Sequence, residues 1–314
     1  MKYLITGGCG FIGSHLTGAL VERGHNVLVV DNLSSGSEKH IEPYMKNKKF
    51  RFVKEDILNK KRMLALTKGI DFVWHIAANP DVKGSANAPN THIKQNIEST
   101  TVILECMIKN RIKGIAFTST STVYGIAKEL PTKETYGPCM PISVYGATKL
   151  SSEALISAYA HTFGFDATIF RFANVVGERS NHGVIFDFIK KLRKNPKELE
   201  ILGDGRQTKS YFYISDCISG MLSAVDKRKE QVEIYNMGSI DAISVTALAD
   251  AVVSALGLKN VKFRYTGGVV GGAGWVGDVK NMSLSIEKIK KTGWAPKYTS
   301  IEAVRKTAES FAKN

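Results

Sequence analysis

Tyr145, Lys149 and Thr120 are the side chains whose types and spacing suit acid–base chemistry. The first two fall in SVYGATKLSSEAL, and Thr120 ends the run IAFTST. Residues four apart on a helix lie one above the other, so the Lys149 ammonium is expected close to the Tyr145 phenol. A free tyrosine has a pKa of about 10. A neighbouring cation, joined by a positively charged cofactor ring, favours the phenolate and brings it toward the working range of a general base. The hydroxyl of Thr120, at the carboxyl end of the preceding strand, can relay or share the same substrate proton. The reaction such a set supports is oxidation of an alcohol.

Tyr-x-x-x-Lys is a loose pattern, and the chain also holds it at Tyr44/Lys48 and Tyr124/Lys128. Tyr44 follows Pro43 in a lysine-rich stretch without apolar periodicity, and Tyr124 precedes Gly125 just where a strand ends. Only Tyr145 opens a convincing helix. Ser143 is its expected cap, and Ala147, Leu150, Ala154, Leu155 and Ala158 supply helix formers and an apolar face.

The elements that must position these groups begin at the first residues. Lys2 to Thr6 reads as an apolar strand, followed by TGGCGFIGSHL and a helix to about Arg23, stopped by Gly24. Gly7, Gly10 and Gly13 set one glycine spacing, and Gly8, Gly10 and Gly13 satisfy G-x-G-x-x-G. The physical demand behind it is a tight turn, a close backbone approach to a pyrophosphate, and a helix start facing the anion. The next strand, NVLVV, ends at Asp31, near the ~20-residue spacing at which a carboxylate meets the adenosine ribose. Asp31 would repel a 2′-phosphate and Asn32 offers no cation to offset it, so NAD is expected rather than NADP. FRFVK (50 to 54) is a third strand, and Asp56 beyond it either meets the adenine edge or caps a helix near 60 to 68. DFVWHIAA (71 to 78) is a fourth, whose Ala77 and Ala78 leave room for a flat cofactor.

A helix from about Asn90 to Asn110 carries apolar residues on more than one face, which suggests burial against both the sheet and a second subunit. Together with the helix near 144–163 it is the expected homodimer surface. Strand and helix alternate through Arg171, which implies an α/β fold with a Rossmann-like, doubly wound parallel sheet and ligands at the carboxyl ends of its strands. After ANVVGER the pattern changes to shorter pieces. The expected division is a nucleotide-binding domain over 1–173 and a smaller mixed α/β substrate domain over 174–314, with a segment near 211–237 returning to the first sheet. Ser244 and Ser300 are candidate caps of later helices, and TGGVVGGAGWVGD (266 to 278) reads as a loop near a ligand.

Composition narrows the class. The 314 residues, 43% hydrophobic and 23% charged, suit a soluble globular protein of more than one small core. The net charge of +14 comes from scattered clusters such as NKKR and KKLRK without aromatic interleaving, so nucleic acid is not the expected partner. Four cysteines without C-x-x-C spacing and seven histidines without ligand pairs point to a reduced, cytoplasmic, metal-free protein. With a strand at the very start and no apolar run near the roughly 20 residues a bilayer span needs, neither a secretory leader nor a membrane partner is expected.

Taken together, TGGCGFIG, Asp31, HIAA (75 to 78), STSTVYG (119 to 125), YGATK (145 to 149), RFANVVG (171 to 177) and GDGRQTKSY (203 to 211) resemble the extended short-chain dehydrogenase/reductases. Within that superfamily the chain is similar to UDP-glucose 4-epimerases. The resemblance implies Thr120 as the catalytic hydroxyl, Tyr145 as base and Lys149 as cofactor anchor. It places Gly7, Gly10, Phe11, Ile12, Asp31, Asn32, Ser35, Gly36, Asp56, Ile57, Ala77, Asn96 and Phe172 near NAD, and Asn174, Lys209 and Tyr211 toward a UDP-sugar. Dehydratases and decarboxylases of the superfamily generally carry an acid just after the catalytic hydroxyl; Ser121 and Thr122 stand there instead.

Two departures concern the diphosphate. Lys209-Ser210-Tyr211 replaces the usual Arg-Asp-aromatic, and Trp275 stands where an arginine usually precedes Gly277-Asp278. Lys209 is a point charge without the bidentate fork, and Arg206, Arg179 and Arg264 are the candidate substitutes. The expected activity is NAD-dependent 4-epimerisation of UDP-glucose and UDP-galactose. The alternatives are the N-acetylhexosamine epimerase, a reductase or dehydrogenase that exchanges its cofactor, and a non-catalytic nucleotide sensor.

Overall fold

The computed structural model describes residues 1–312. The chain opens with β1 (Lys2–Thr6), α1 (Phe11–Glu22), β2 (Asn26–Asp31), β3 (Phe50–Lys54), α2 (Lys60–Leu66) and β4 (Phe72–His75). A long helical segment follows, made of α3 (Pro89–His92), a π-helical stretch (Ile93–Glu98) and α4 (Ser99–Asn110). β5 (Gly114–Thr120), α5 (Val144–Phe163) and β6 (Asp166–Phe172) complete the first half.

The second half is built of β7 (Asn174–Val176), α6 (Val184–Lys194), β8 (Glu198–Ile201), β9 (Thr208–Lys209), β10 (Tyr211–Tyr213), α7 (Ile214–Asp226) and β11 (Val232–Met237). It ends with β12 (Ile243–Ser244), α8 (Val245–Ala255), β13 (Lys262–Tyr265), β14 (Asn281–Met282), α9 (Glu287–Lys290) and α10 (Ser300–Ala312).

Seven strands form one sheet in the order β11-β6-β5-β4-β1-β2-β3, and every pairing in it is parallel. The order reverses between β1 and β4, which places a crevice at the carboxyl ends of those strands. Side chains alternate faces along a strand. Val27 and Val29 accordingly join one core while Leu28 and Val30 join the other, and Phe170 and Ile169 split in the same way. Both faces of the sheet are covered, which is why β5 is buried from end to end.

Smaller pairings lie outside this sheet. β10 lies parallel to β7, β13 parallel to β8, and β9 sits between β12 and β14.

Several local expectations shift. The helix after β3 is capped by Asn59, whose side chain accepts from Arg62 N, while Asp56 closes its own turn on Leu58 N. The last helix is capped not by Ser300 but by Thr299, paired reciprocally with Glu302. Ser300 instead accepts from Tyr211 N and donates to Asp241 O, pinning the helix start to β10. Ser143 and Ser244 do cap α5 and α8.

Candidate active site

A cavity of about 990 Å³ runs from the β1–α1 turn to the loop before β14. At one end lies the glycine loop. Gly7 has φ +72, and a Cβ there would sit 2.8 Å from Ala77; a Cβ on Gly13 would fall 2.1 Å from Gly7 O. The loop is therefore closed against β4 with no room for side chains. α1 starts at Phe11 without any side-chain cap, so its first N–H groups suit an anion.

Asp31 is held at the end of β2: one carboxylate oxygen accepts from Cys9 N and the other from Leu33 N. Asn32 donates to Asp56, so these two side chains form one polar rim. A tight glycine turn, an open helix start and a fixed carboxylate fit a dinucleotide lying with its pyrophosphate over the loop and its ribose at Asp31.

The cavity is lined by Gly7, Gly10, Phe11, Ile12, Gly13, Asp31, Asn32, Ser35, Asp56, Ile57, Ala77, Ala78 and Phe172, and also by Thr120, Tyr145, Lys149, Asn174, Lys209 and Tyr211. Two expected residues stand behind its wall. Gly36 packs on Cys9, where an added Cβ would lie 2.8 Å from the Cys9 backbone. Asn96 is buried in the π-helical stretch, accepts from Asn79 N and donates to Thr148 Oγ1 on α5. It joins the loop after β4 to α5.

Of the Tyr-x-x-x-Lys copies, only Tyr145/Lys149 reaches the cavity. Tyr44 packs on Gly18 of α1. Tyr124 is buried and donates to Asn236, and burial pushes its phenol up to about 12.

The protein's own groups do not by themselves activate the phenol. Burial pushes Tyr145 up to about 12, and the Thr120 hydroxyl pulls only part of that back. Burial also lowers Lys149 to about 7, with Glu153 opposing, and its Nζ lies 4.0 Å from the centre of the Phe117 ring. Desolvation thus outweighs charge pairing: it disfavours the ionised form of both groups. A positive charge arriving in the cavity favours the phenolate and reverses the Tyr145 shift.

On the opposite wall, Lys209 Nζ lies 2.5 Å from Asp278 Oδ1 and 5.3 Å from the centre of the Trp275 ring. The three expected substitutes do not line the cavity. Arg264 pairs with Glu198 and Glu200 on β8, Arg179 donates to Ser14 and His40, and Arg206 is exposed on its turn. The cations on the lining are Lys83, Lys149 and Lys209.

Sequence reading passed over two features. Lys83 sits in the loop after β4, with no motif to mark it. The buried set Glu153, Arg171 and Ser119 carries a fainter signal: Glu153 follows Lys149 by one helical turn, and Arg171 interrupts an apolar strand. Among the described residues no cluster of His, Cys, Asp or Glu is placed to hold a metal ion.

Comparison with known proteins agrees with this geometry. Residues 3–238 match the model of the NAD dependent epimerase/dehydratase family. A crystal structure of a UDP-galactose 4-epimerase superposes with a TM-score of 0.88 at 42% identity, over 100% of this chain and 99% of that one. The UDP-glucose 4-epimerase of Thermotoga maritima, solved with UDP-glucose, gives a TM-score of 0.88 at 33% identity over 100% and 99% of the two chains. The UDP-N-acetyl-alpha-D-glucosaminuronate decarboxylase of Bacillus cytotoxicus is 36% identical over 80% of this chain and 79% of its own. With its glycine loop, Asp31 and tyrosine–lysine helix on one cavity, the chain belongs to the NAD dependent epimerase/dehydratase family, as an NAD-using enzyme of the extended short-chain dehydrogenase/reductase kind.

Proposed function

We propose that the protein interconverts UDP-glucose and UDP-galactose by transient oxidation at C4 of the sugar. The observation that carries this reading is the convergence of Thr120, Tyr145 and Lys149 on the same cavity as the glycine loop and Asp31. NAD, when bound, supplies the reversible acceptor for the C4 hydride.

The chain's own residues handle the proton and the orientation. Tyr145, as phenolate, takes the proton of the 4-hydroxyl and gives it back on the return step. Thr120 donates a hydrogen bond to the same oxygen, and the Lys149 ammonium stabilises the phenolate charge. The phenol must ionise in spite of its burial, so Tyr145 is matched to a loaded cavity rather than an open one. Return of hydride to the other face requires the sugar to turn between the two steps.

Ser121 and Thr122 support epimerisation over elimination or decarboxylation. Both line the cavity, and Thr122 Oγ1 lies 3.2 Å from Thr120 Oγ1, so the position next to Thr120 offers a hydroxyl and not a carboxylate. The assay is incubation of purified protein with UDP-glucose, UDP-galactose, their N-acetyl forms and UDP-glucuronate, followed by NMR. The 4-epimer of the plain hexose, formed without added cofactor, is the expected product. Turnover confined to an N-acetyl or uronate substrate reassigns the sugar, and loss of carbon dioxide or formation of a 4-keto-6-deoxy product refutes the epimerase.

We further infer a homodimer through α4 and α5. The apolar face read from the sequence of α5 points outward: Ala147, Ala154 and Ala158 are exposed and Leu150 and Leu155 half-buried. Phe163 at the end of α5 is 50% exposed and Ile93, just before α4, 41%. Such a surface supports a contact with a second copy.

A further inference from the structure

The buried face of α5 is polar. It carries Thr148, Lys149, Ser152 and Glu153 ahead of Ile156 and Ala160. Glu153 stands one turn beyond Lys149, and its carboxylate meets side chains from two strands. Arg171 of β6 reaches it through Nη2 at 2.7 Å and through Nε at 3.1 and 3.2 Å, and Ser119 of β5 donates its hydroxyl to the same group. All three side chains are buried.

The neighbours of these residues are the ones on which the proposed chemistry depends. Ser119 immediately precedes Thr120, Arg171 immediately precedes Phe172 on the cavity wall, and Glu153 shares a helix face with Lys149 and Tyr145. Arg171 also lies over the Tyr124 ring and donates to Glu134 O, which ties the loop after β5 to the same point.

We infer that Glu153 is a positioning residue for the reaction: anchored by Arg171, it holds through Ser119 the strand end that carries Thr120 against the helix turn that carries Lys149. This rests on Thr120, Tyr145 and Lys149 being the reacting set. A buried ion pair replaced by apolar groups often leaves a protein as stable as before, so stability alone does not account for placing one at this junction. Misplacement by about 1 Å, in contrast, costs on the order of 10²-fold in rate.

The least disruptive test cuts one tether. Ser119→Ala removes a hydroxyl and no charge, and Ser119→Thr restores it. Glu153→Gln with Arg171→Met removes both charges together, which avoids leaving an unpaired buried ion if a single variant fails to fold. In NAD-loaded protein with UDP-galactose, Ser119→Ala is expected to lower kcat at least tenfold with KM and the thermal midpoint near wild type, and Ser119→Thr to recover most of it.

A substrate-free readout is the ultraviolet titration of Tyr145, taken as the difference from Tyr145→Phe in each background. Thr120 from β5 and the His92 ring of α3, 6.4 Å between centroids, face the Tyr145 side chain, and Lys149 stands one turn further along α5. Displacing Thr120 withdraws a hydrogen bond that favours the phenolate, so the midpoint rises in Ser119→Ala. Wild-type kcat and an unmoved titration in both Ser119→Ala and the double variant overturn the inference. Retained turnover in Tyr145→Phe instead overturns the assignment of the reacting set, whatever the Ser119 variants do.

Discussion

Burial keeps the Lys149 ammonium titrating near pH 7 rather than in the usual alkaline range. Its pKa in the folded chain lies below that of the unfolded chain. Between about pH 7 and 10 the unfolded chain therefore binds more protons, and stability rises with pH through that window. Below about 7 the lysine is charged in both states and its desolvation penalty is largest. Lys149→Met should raise the thermal midpoint, more at pH 6 than at pH 10, while abolishing turnover; calorimetry across pH reads the sign directly. Tyr145→Phe should keep the fold and the bound NAD but lose about 10² to 10⁴ in rate. Tyr124→Phe should instead lose about 1 kcal/mol or more of stability, because its hydroxyl's bonds to Asn236 and Arg171 are removed. At the other end of the cavity, Asp31→Ala should narrow the preference for NAD over NADP, measured by titration calorimetry with both. Equal binding of the two by the wild type would remove Asp31 from its assigned role. These residues were legible because glycine spacing, a strand-terminal carboxylate and the tyrosine–lysine step are local patterns. The burial that sets their ionisation is not local. It comes from strands and helices far apart in sequence, which is why Tyr145 stands raised until a cofactor's positive charge joins it.

At the scale of elements, α5 shows where periodicity misleads. Ala147, Ala154 and Ala158 lie outside, Leu150 and Leu155 are half-buried, and the first turns meet the sheet with hydroxyls, an ammonium and a carboxylate, while Ile156 and Ala160 reach the core only further along. Periodicity finds a helix and an apolar face, but it does not say whether that face meets the sheet or a partner. Caps were read with mixed success for a similar reason. Ser143 and Ser244 compete with no neighbour, whereas Thr299 and Glu302 together make a reciprocal box that leaves Ser300 free to hold β10. The short strand β9 and the loop before β14 carry the remaining question of the diphosphate. Lys209 is held between Asp278 and the Trp275 ring, on the cavity wall where the proposed UDP-sugar would bring its diphosphate. Losing a charge-assisted bond to that anion is worth about 1.5 to 3 kcal/mol, so Lys209→Ala should raise KM for the UDP-sugar roughly 10- to 100-fold. NAD binding should not change. An unaltered KM would turn attention to Lys83 across the cavity.

At the scale of the whole molecule, the outward face of α5 makes oligomeric state a direct test. Replacing the exposed Ala154 by Glu places a charge in the proposed dimer contact without touching the buried Lys149 face, and sedimentation should then report a monomer at concentrations where the wild type is a dimer. A wild-type monomer at micromolar concentration would remove that interface. The path of the chain through the sheet has a separate consequence, for synthesis rather than catalysis. After β6 the chain leaves the sheet, builds β7 to α7, and only then lays β11 beside β6. Until Val232–Met237 have emerged from the ribosome, β6 is an open edge with unpaired backbone groups, a template for other nascent chains. Truncation at 173 freezes that stage, and extension to 238 seals it. The piece that looks like a complete nucleotide-binding unit is thus the one expected to precipitate, and the strand that protects it is made only after β7 to α7.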